Sequence, residues 1–584
     1  MRDARRDARG RGPTRSAPFS FRLRLYSLVG LLGVAALALA GRAVELQLVD
    51  HDNLSEKGNA RFSRVAAIPA HRGSITDRQG EPLAVSTPVE SIWVNPSQLG
   101  GSVEQLPALA RTLGLDRQEL VRRVTGATDR EFLYLARGLR PDDVRKAKQL
   151  DMPGLNYVHE YRRYYPAGEV TGHLLGFTNV DDAGQEGLEL AFDHWLAGED
   201  GSKRVIQDSA GRKVEDVESI RSVRPGRDLQ LAMDLRIQYL AYRTLKQAVQ
   251  ENHARGGSIV MIDVDTGEVL AMVNQPAYNP NDREQMNASS VRNRAATDLF
   301  EPGSSIKPFV VAAALASGRY QADSVIDTDK GFLAVGNTTI EDEHPLGAIN
   351  LATVLSKSSN VGMAKLALNL APEQIWTTLN KFGFGQVSSS GFPGESAGLL
   401  TNYAHWRPIG IAHMAYGYGL SVTPLQLAHA YATLGAHGIS RPVSLLRVDA
   451  PVAGERVLDD GVSRSLITLL ESVVTAEGAT GLKAQIPGYR VAGKTGTAQK
   501  LVDGSYSNDR HVAVFGGVAP ASNPRLAAVV VIDEPAAGKY YGGEVSAPVF
   551  STVMGGALRL LGIPPDDTAR SEDDWRTAPK VAQR

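Results

Sequence analysis

Five strand-like runs bracket a long helical stretch, and this order limits the folds open to the chain. "LRIQYLAYRTLKQAVQENHA" (235–254) has apolar residues at helical spacing and leads into "SIVMIDVDTGEVLAMVNQP", two strand-like runs joined around Asp265-Thr266-Gly267. Towards the other end come "YRVAGKTGTAQK", "HVAVFGGVAP" and "RLAAVVVIDEP", then "APVFSTVMGGALRLLG" as a closing helix. An early hairpin and three late strands predict one antiparallel sheet of about five strands, with the mostly helical middle, 300–480, packed on it. The fold class is α+β.

At 584 residues the chain outgrows a single core, so two or more domains are expected. Apolar residues make up 43% and charged residues 22%, a globular and not a disordered balance. A net charge of -1 gives no reason to expect nucleic acid as a partner. The chain has no cysteine, which removes disulfides, thiolate nucleophiles and cysteine metal sites, and is compatible with an oxidising compartment. Its twelve histidines form no HExxH pair, and no phosphate-binding glycine loop follows a strand. No metal or cofactor is expected.

Residues 1–24 carry eight arginines against two aspartates, and Leu25 to Gly41 ("LYSLVGLLGVAALALAG") follows uncharged, 17 residues at the short end of a membrane span. The arginine excess predicts a cytoplasmic basic tail (1–24), a transmembrane signal-anchor (25–41) and export of the rest. Ala38-Leu39-Ala40 also has the form of a signal-peptide cleavage site, but the apolar segment is longer than a typical signal core of about 7–15 residues. Residues 42–225 mix short strands, turns and charged helices and read as an elongated pedestal domain. Within it, Arg72, Asp77, Arg78 and Glu186 read as charge pairs that hold one module against another. "RPGRD" (224–228) reads as a linker turn, 226–565 as the second domain, and 566–584 as a polar, frayed tail.

"DLFEPGSSIKPFVVAAALASG" (298–318) places a lysine at the head of a helix that enters a core. Side chains three apart share a helix face, so Ser304 faces Lys307 and Ser305 does not. A serine hydroxyl needs a base, and a lysine serves only when neutral. Burial and a second nearby cation both favour the neutral form. The helix amino terminus also offers N–H groups to an oxyanion beside Ser304. Alone, Ser-x-x-Lys is weak, since about one match is expected by chance in a chain of this length. Two further pieces strengthen it. Ser358-Ser359-Asn360 brings Ser358 and Asn360 to one side only in a loop or extended conformation. Lys494-Thr495-Gly496-Thr497 falls on a predicted strand, where the glycine permits close approach of another backbone. This trio, in this order, is the signature of penicillin-binding proteins and class A β-lactamases.

"RNRAATDLFEPGSSIKP", "KSSNVGMAK", "AYGYGLSVTPLQLAHAYATLG", "AGKTGTAQK" and "DEPAAGKYYGGEVSAPVFSTVMGG" resemble the transpeptidase domain of class B penicillin-binding proteins of the cell-division (FtsI) type. "RGSITDRQG" and "AGQEGLE" resemble that family's amino-terminal pedestal. The likeness covers nearly all of residues 25–565. The arginine-rich tail matches no fixed family pattern, and Ser305 stands where threonine is common.

The resemblance implies the penicillin-binding/serine β-lactamase-like fold, with helices on both sides of the five-stranded sheet, and a peptidoglycan D,D-transpeptidase. It implies Ser304 as nucleophile and Lys307 as its base, with Ser358 and Lys494 relaying a proton to the leaving nitrogen. Asn360 would hold the substrate amide, and Thr495 and Thr497, with Gly496 between them, would receive the terminal carboxylate. The backbone N–H groups of Ser304 and Thr497 would form the oxyanion hole. The implied partners are stem peptides ending in D-Ala-D-Ala as donor, an amine acceptor, β-lactam antibiotics, a membrane glycosyltransferase of the FtsW type and other divisome membrane proteins. The implied place is the bacterial inner membrane at the division septum, with the catalytic domain in the periplasm. Competing readings are an elongation-type class B transpeptidase, a non-catalytic β-lactam sensor or scaffold on the same fold, and a β-lactamase, for which a membrane anchor and a pedestal have no use.

Overall fold

The computed structural model of the chain describes residues 21–49, 63–152, 154–207, 213–284 and 286–567. The basic tail through residue 20 and the polar tail from residue 568 therefore lie outside the described residues.

Helix α1 spans Phe21–Val44, and the helical segment Arg22–Val49 has a mean hydropathy of 1.9 over its apolar window and is fully exposed. It is longer than the expected 25–41 segment, because nothing that breaks a helix stands at either end of the apolar run. Its 24 residues reach about 36 Å at 1.5 Å each, enough for a hydrocarbon core of about 30 Å.

In the pedestal, the long strand Pro82–Val94 lies between the antiparallel strands Leu133–Leu139 and Leu155–Tyr164. Short helices cover this sheet over a small core that includes Ile92, Leu106, Leu109, Leu120 and Leu135. A second sheet joins Ser63–Ile68, Gly201–Gln207 and Lys213–Arg221. The four charged residues read as inter-module pairs divide. Arg78 does cross, with Nη2 reaching Glu268 Oε2 at 3.3 Å in the second domain, and Asp77 Oδ2 accepts the Leu235 N–H at 3.1 Å. Arg72 instead pairs inside the pedestal with Glu189 and Asp193, at 2.8 and 2.7 Å, and the Glu186 carboxylate has no ion pair among the described residues. The segment 224–228, expected as a linker turn, is packed against the pedestal. Glu199 and Arg224 exchange backbone hydrogen bonds, Arg227 stacks over Trp195, and a Cβ on Gly226 would stand 1.7 Å from the Leu196 carbonyl oxygen.

The second domain opens with α2 (Leu235–Glu251), capped by Asp234, whose side chain accepts the Arg236 N–H. β1 (Gly256–Asp263) and β2 (Val269–Gln275) form the expected hairpin, and β3 (Ala492–Val502), β4 (Ser505–Ala519) and β5 (Leu526–Asp533) complete an antiparallel sheet in the order β2-β1-β5-β4-β3. Successive residues of a strand point to opposite faces. Ile259, Met261, Phe515 and Val530 therefore pack with α2 and the closing helix α7 (Gly542–Leu560), while Val260, Ile262, Val514 and Val529 pack with Leu427 and Tyr431 of α5 (Pro424–Gly435). Each such large side chain contributes about 1.5–3 kcal/mol by leaving water. Both faces being covered is why the strands read as continuous apolar runs and not as alternating ones. β3 is left at the sheet edge, beside α6 (Asp460–Thr475) and the turn that leads into α3 (Lys307–Ala316), on which α4 (Asn360–Leu368) packs.

Candidate active site

Gly303–Ile306 forms a 3₁₀ turn that runs into α3. Side chains three apart eclipse one another in such a turn, so Ser304 and Lys307 lie on one side of the chain. Close backbone contacts set the turn. A Cβ on Gly417 would stand 2.0 Å from the Gly303 carbonyl oxygen, a Cβ on Gly496 would stand 2.7 Å from the Pro302 carbonyl oxygen, and the Tyr431 hydroxyl donates to the Ser305 carbonyl at 2.9 Å. The two serines part company here. Ser305 is buried and donates to the Pro302 carbonyl at 2.7 Å, whereas Ser304 lines a cleft of about 600 Å³ and its hydroxyl has no hydrogen bond among the described residues.

Lys307 is fully buried, and its Nζ donates to the Ser358 carbonyl (2.6 Å), the Ser358 hydroxyl (3.2 Å), the Ser359 carbonyl (3.3 Å) and Asn360 Oδ1 (2.8 Å). None of these acceptors is a carboxylate. Burial and the neighbouring Lys494 push the Lys307 ammonium well below the usual lysine range, against an opposing pull from Asp342. Lys494 is equally buried on β3, bonded to the Thr495 carbonyl and hydroxyl at 3.1 Å each, and burial lowers it to about 7.

The expected loop before a helix is present at 358–360: Ser358 takes a left-handed conformation (φ 59°), Ser359 caps α4, and Asn360 is its first residue. On the facing wall, the Thr495 hydroxyl donates to the Thr480 hydroxyl at 2.8 Å and the Thr497 hydroxyl accepts the Gly542 N–H at 3.0 Å. Ser304, Ser358, Asn360, Thr495 and Thr497 all line the cleft; Lys307 and Lys494 sit beneath it, and Gly496 is where the Pro302 backbone approaches. Sequence reasoning did not find Asp342, whose carboxylate accepts the Ser359 hydroxyl and the Asn360 and Val361 N–H groups, nor Thr480, nor the Tyr541–Glu343 hydrogen bond (3.1 Å) between two lining residues. No spacing pattern marks any of them. Arranged in this way, the cleft can support attack by a serine assisted by a neutral amine.

Two family descriptions match the chain: "Penicillin binding protein transpeptidase domain" over residues 257–555 and "Penicillin-binding Protein dimerisation domain" over 67–231. The chain is 46% identical over 549 residues to the peptidoglycan D,D-transpeptidase FtsI of Escherichia coli, covering 93% of this chain and 92% of that one. It belongs to the FtsI-type family of penicillin-binding proteins. Its chemistry is that of this family, a serine acyltransferase working as a peptidoglycan D,D-transpeptidase. Among solved structures, the transpeptidase domain of Burkholderia pseudomallei penicillin-binding protein 3 is similar at 41% identity and a TM-score of 0.53, covering 57% of this chain and 97% of that one. Penicillin-binding protein 3 of Mycobacterium tuberculosis, complexed with aztreonam, is similar at 27% identity and a TM-score of 0.67 over 86% of this chain and 98% of that one.

Proposed function

We propose that the protein cross-links peptidoglycan stem peptides at the division septum through an acyl-enzyme on Ser304. Neutral Lys307 takes the Ser304 proton as Oγ bonds to the carbonyl carbon of the penultimate D-alanine. The oxyanion is held by the Ser304 and Thr497 N–H groups. The bond to the terminal D-alanine then breaks, with Ser358 and Lys494 delivering the proton to its nitrogen. The amine of a second stem peptide attacks the ester, loses a proton, and restores the Ser304 hydroxyl as the cross-link forms. Asn360 holds the substrate amide, and Thr495 and Thr497 bind the terminal carboxylate. The donor lies along the free edge of β3 as an added strand. A β-lactam enters the same path and leaves a slow ester on Ser304.

The observation that carries this reading is a pair of fully buried lysines, bonded among the described residues only to neutral oxygens, beneath a cleft whose wall presents a serine hydroxyl that none of those residues bonds. The FtsI name of the E. coli relative supports the septal role. The apolar helix α1 supports a single-pass anchor with a cytoplasmic amino terminus and a periplasmic pedestal (42–225) and transpeptidase domain (226–565). A membrane glycosyltransferase of the FtsW type and other divisome proteins, the partners that the FtsI-type resemblance implies, complete this reading.

One experiment tests it. A fluorescent β-lactam is added to intact cells, imaged, and followed into the salt-washed inner membrane, where the adduct is mapped. A mid-cell band and an adduct on Ser304, lost in Ser304→Ala and kept in Ser305→Ala, are expected. An adduct on Ser305 would overturn the chemistry; a signal spread along the side wall would reassign the protein to elongation.

A further inference from the structure

Asp342 follows the strand Thr338–Glu341 and forms part of the cleft wall. Its Oδ1 accepts the backbone N–H groups of Asn360 (2.5 Å) and Val361 (3.0 Å), and its Oδ2 accepts the Ser359 hydroxyl (2.6 Å). The Ser359 oxygen in turn accepts the Gly362 N–H at 2.8 Å. One carboxylate and the hydroxyl it holds thus satisfy the first N–H groups of α4, where a helix favours negative charge. From the opposite side, Lys307 Nζ binds Ser358, Ser359 and Asn360. The turn between them contains a serine at φ 59°, a conformation that a non-glycine residue keeps only where its surroundings impose it.

We propose that Asp342 is a positioning residue for acyl transfer: it clamps the Ser358–Asn360 turn, and the turn holds the Lys307 amine towards Ser304. The proposal rests on Ser304 as nucleophile and Lys307 as base. Asp342 touches neither reacting atom and acts through the backbone that Lys307 binds. Its charge also bears on Lys307, favouring the ammonium against burial and Lys494. The other charged or titratable groups on the cleft are Glu341, Glu343 and His344 on the same arm, Lys357 before the turn, and Lys483, Tyr541 and Glu544 on the facing wall. The Asp342 variants leave all of these in place.

The test uses the full-length protein in detergent and follows the second-order acylation rate with a fluorescent β-lactam from about pH 5 to about pH 10. Asp342→Ala is expected to lower the plateau rate roughly tenfold to a hundredfold, the scale of a small misplacement of reacting groups. The acid limb should also move by about one pH unit towards acid, because without the carboxylate Lys307 gives up its proton more easily. Asp342→Asn keeps the shape and should move the limb equally with a smaller loss of plateau, and Asp342→Glu should restore the limb. Rates within about twofold of the parent and an unmoved limb in both the alanine and asparagine variants would overturn the proposal. So would a lowered plateau with an unmoved limb, the mark of a merely structural residue. If the alanine variant does not fold, the limb of the asparagine variant decides. Ser304→Ala is run alongside: labelling that persists there refutes the nucleophile assignment, separately from the clamp.

Discussion

Among the described residues, the pedestal and the transpeptidase domain each bury two lysine or arginine side chains, and they treat them in opposite ways. In the pedestal, Arg72 and Arg163 share Glu189, at 2.8 and 2.6 Å, and all three side chains are at most 5% exposed. Burial pulls the Arg72 guanidinium down, but Glu189 and Asp193 more than offset it, and it is held above its ordinary value. In the transpeptidase domain, Lys307 and Lys494 are just as deeply buried and bond only to neutral oxygens. Arginine with a carboxylate stays charged and ties distant segments together; lysine without one is driven towards the neutral amine that acyl transfer needs. The second arrangement opposes stability. Lys494 has a folded-state value of about 7, below its unfolded value of about 10.4, so between those pH values the unfolded chain binds more protons and stability rises with pH.

Substitutions can break this contrast. The largest expected effect is on chemistry: Lys307→Met should lower β-lactam acylation by roughly 10³, the scale of a lost general base. Its unfolding free energy should stay within about 1 kcal/mol of the parent, because the lost hydrogen bonds are offset by a desolvation cost no longer incurred. Near-normal acylation would put the base elsewhere, and a large loss of stability would make Lys307 a structural residue like Arg72. Glu189→Ala should do the reverse. It strands Arg163 and half-strands Arg72, so denaturant unfolding should show a loss of about 3–5 kcal/mol, while the folded protein acylates within about twofold of the parent. A loss below about 1 kcal/mol would show that the pedestal knot is not needed for stability.

The two regions also differed in how far they could be read from residues alone. The catalytic sheet and its covering helices were legible, because each depends on local periodicity: 259–262 and 512–515 run apolar because both faces are covered. The different environments of Ser304 and Ser305 were legible from spacing to Lys307. The charged knot was not. Arg72 and Glu189 are 117 residues apart, and only the packed pedestal brings them together, so the sequence suggests an inter-module role for Arg72, which in fact pairs inside its own module. Asp342 escaped for the same reason: it caps α4 from 17 residues upstream of Ser359, across an intervening strand (Ala348–Asn350) and helix (Leu351–Ser356), where no helix or strand period connects them. The anchor helix overran its predicted limits because the charged residues at the edge of the apolar run remain helical.

The contrast rests on Lys307 being a neutral amine at working pH, and the pH dependence of acylation measures that most directly. With the full-length protein and one β-lactam, the rate should rise through an acid limb well below the usual lysine range and be level before that range is reached. A rate that keeps climbing tenfold per pH unit towards about 10.4 would mean that Lys307 is an ordinary ammonium and contradict the assignment.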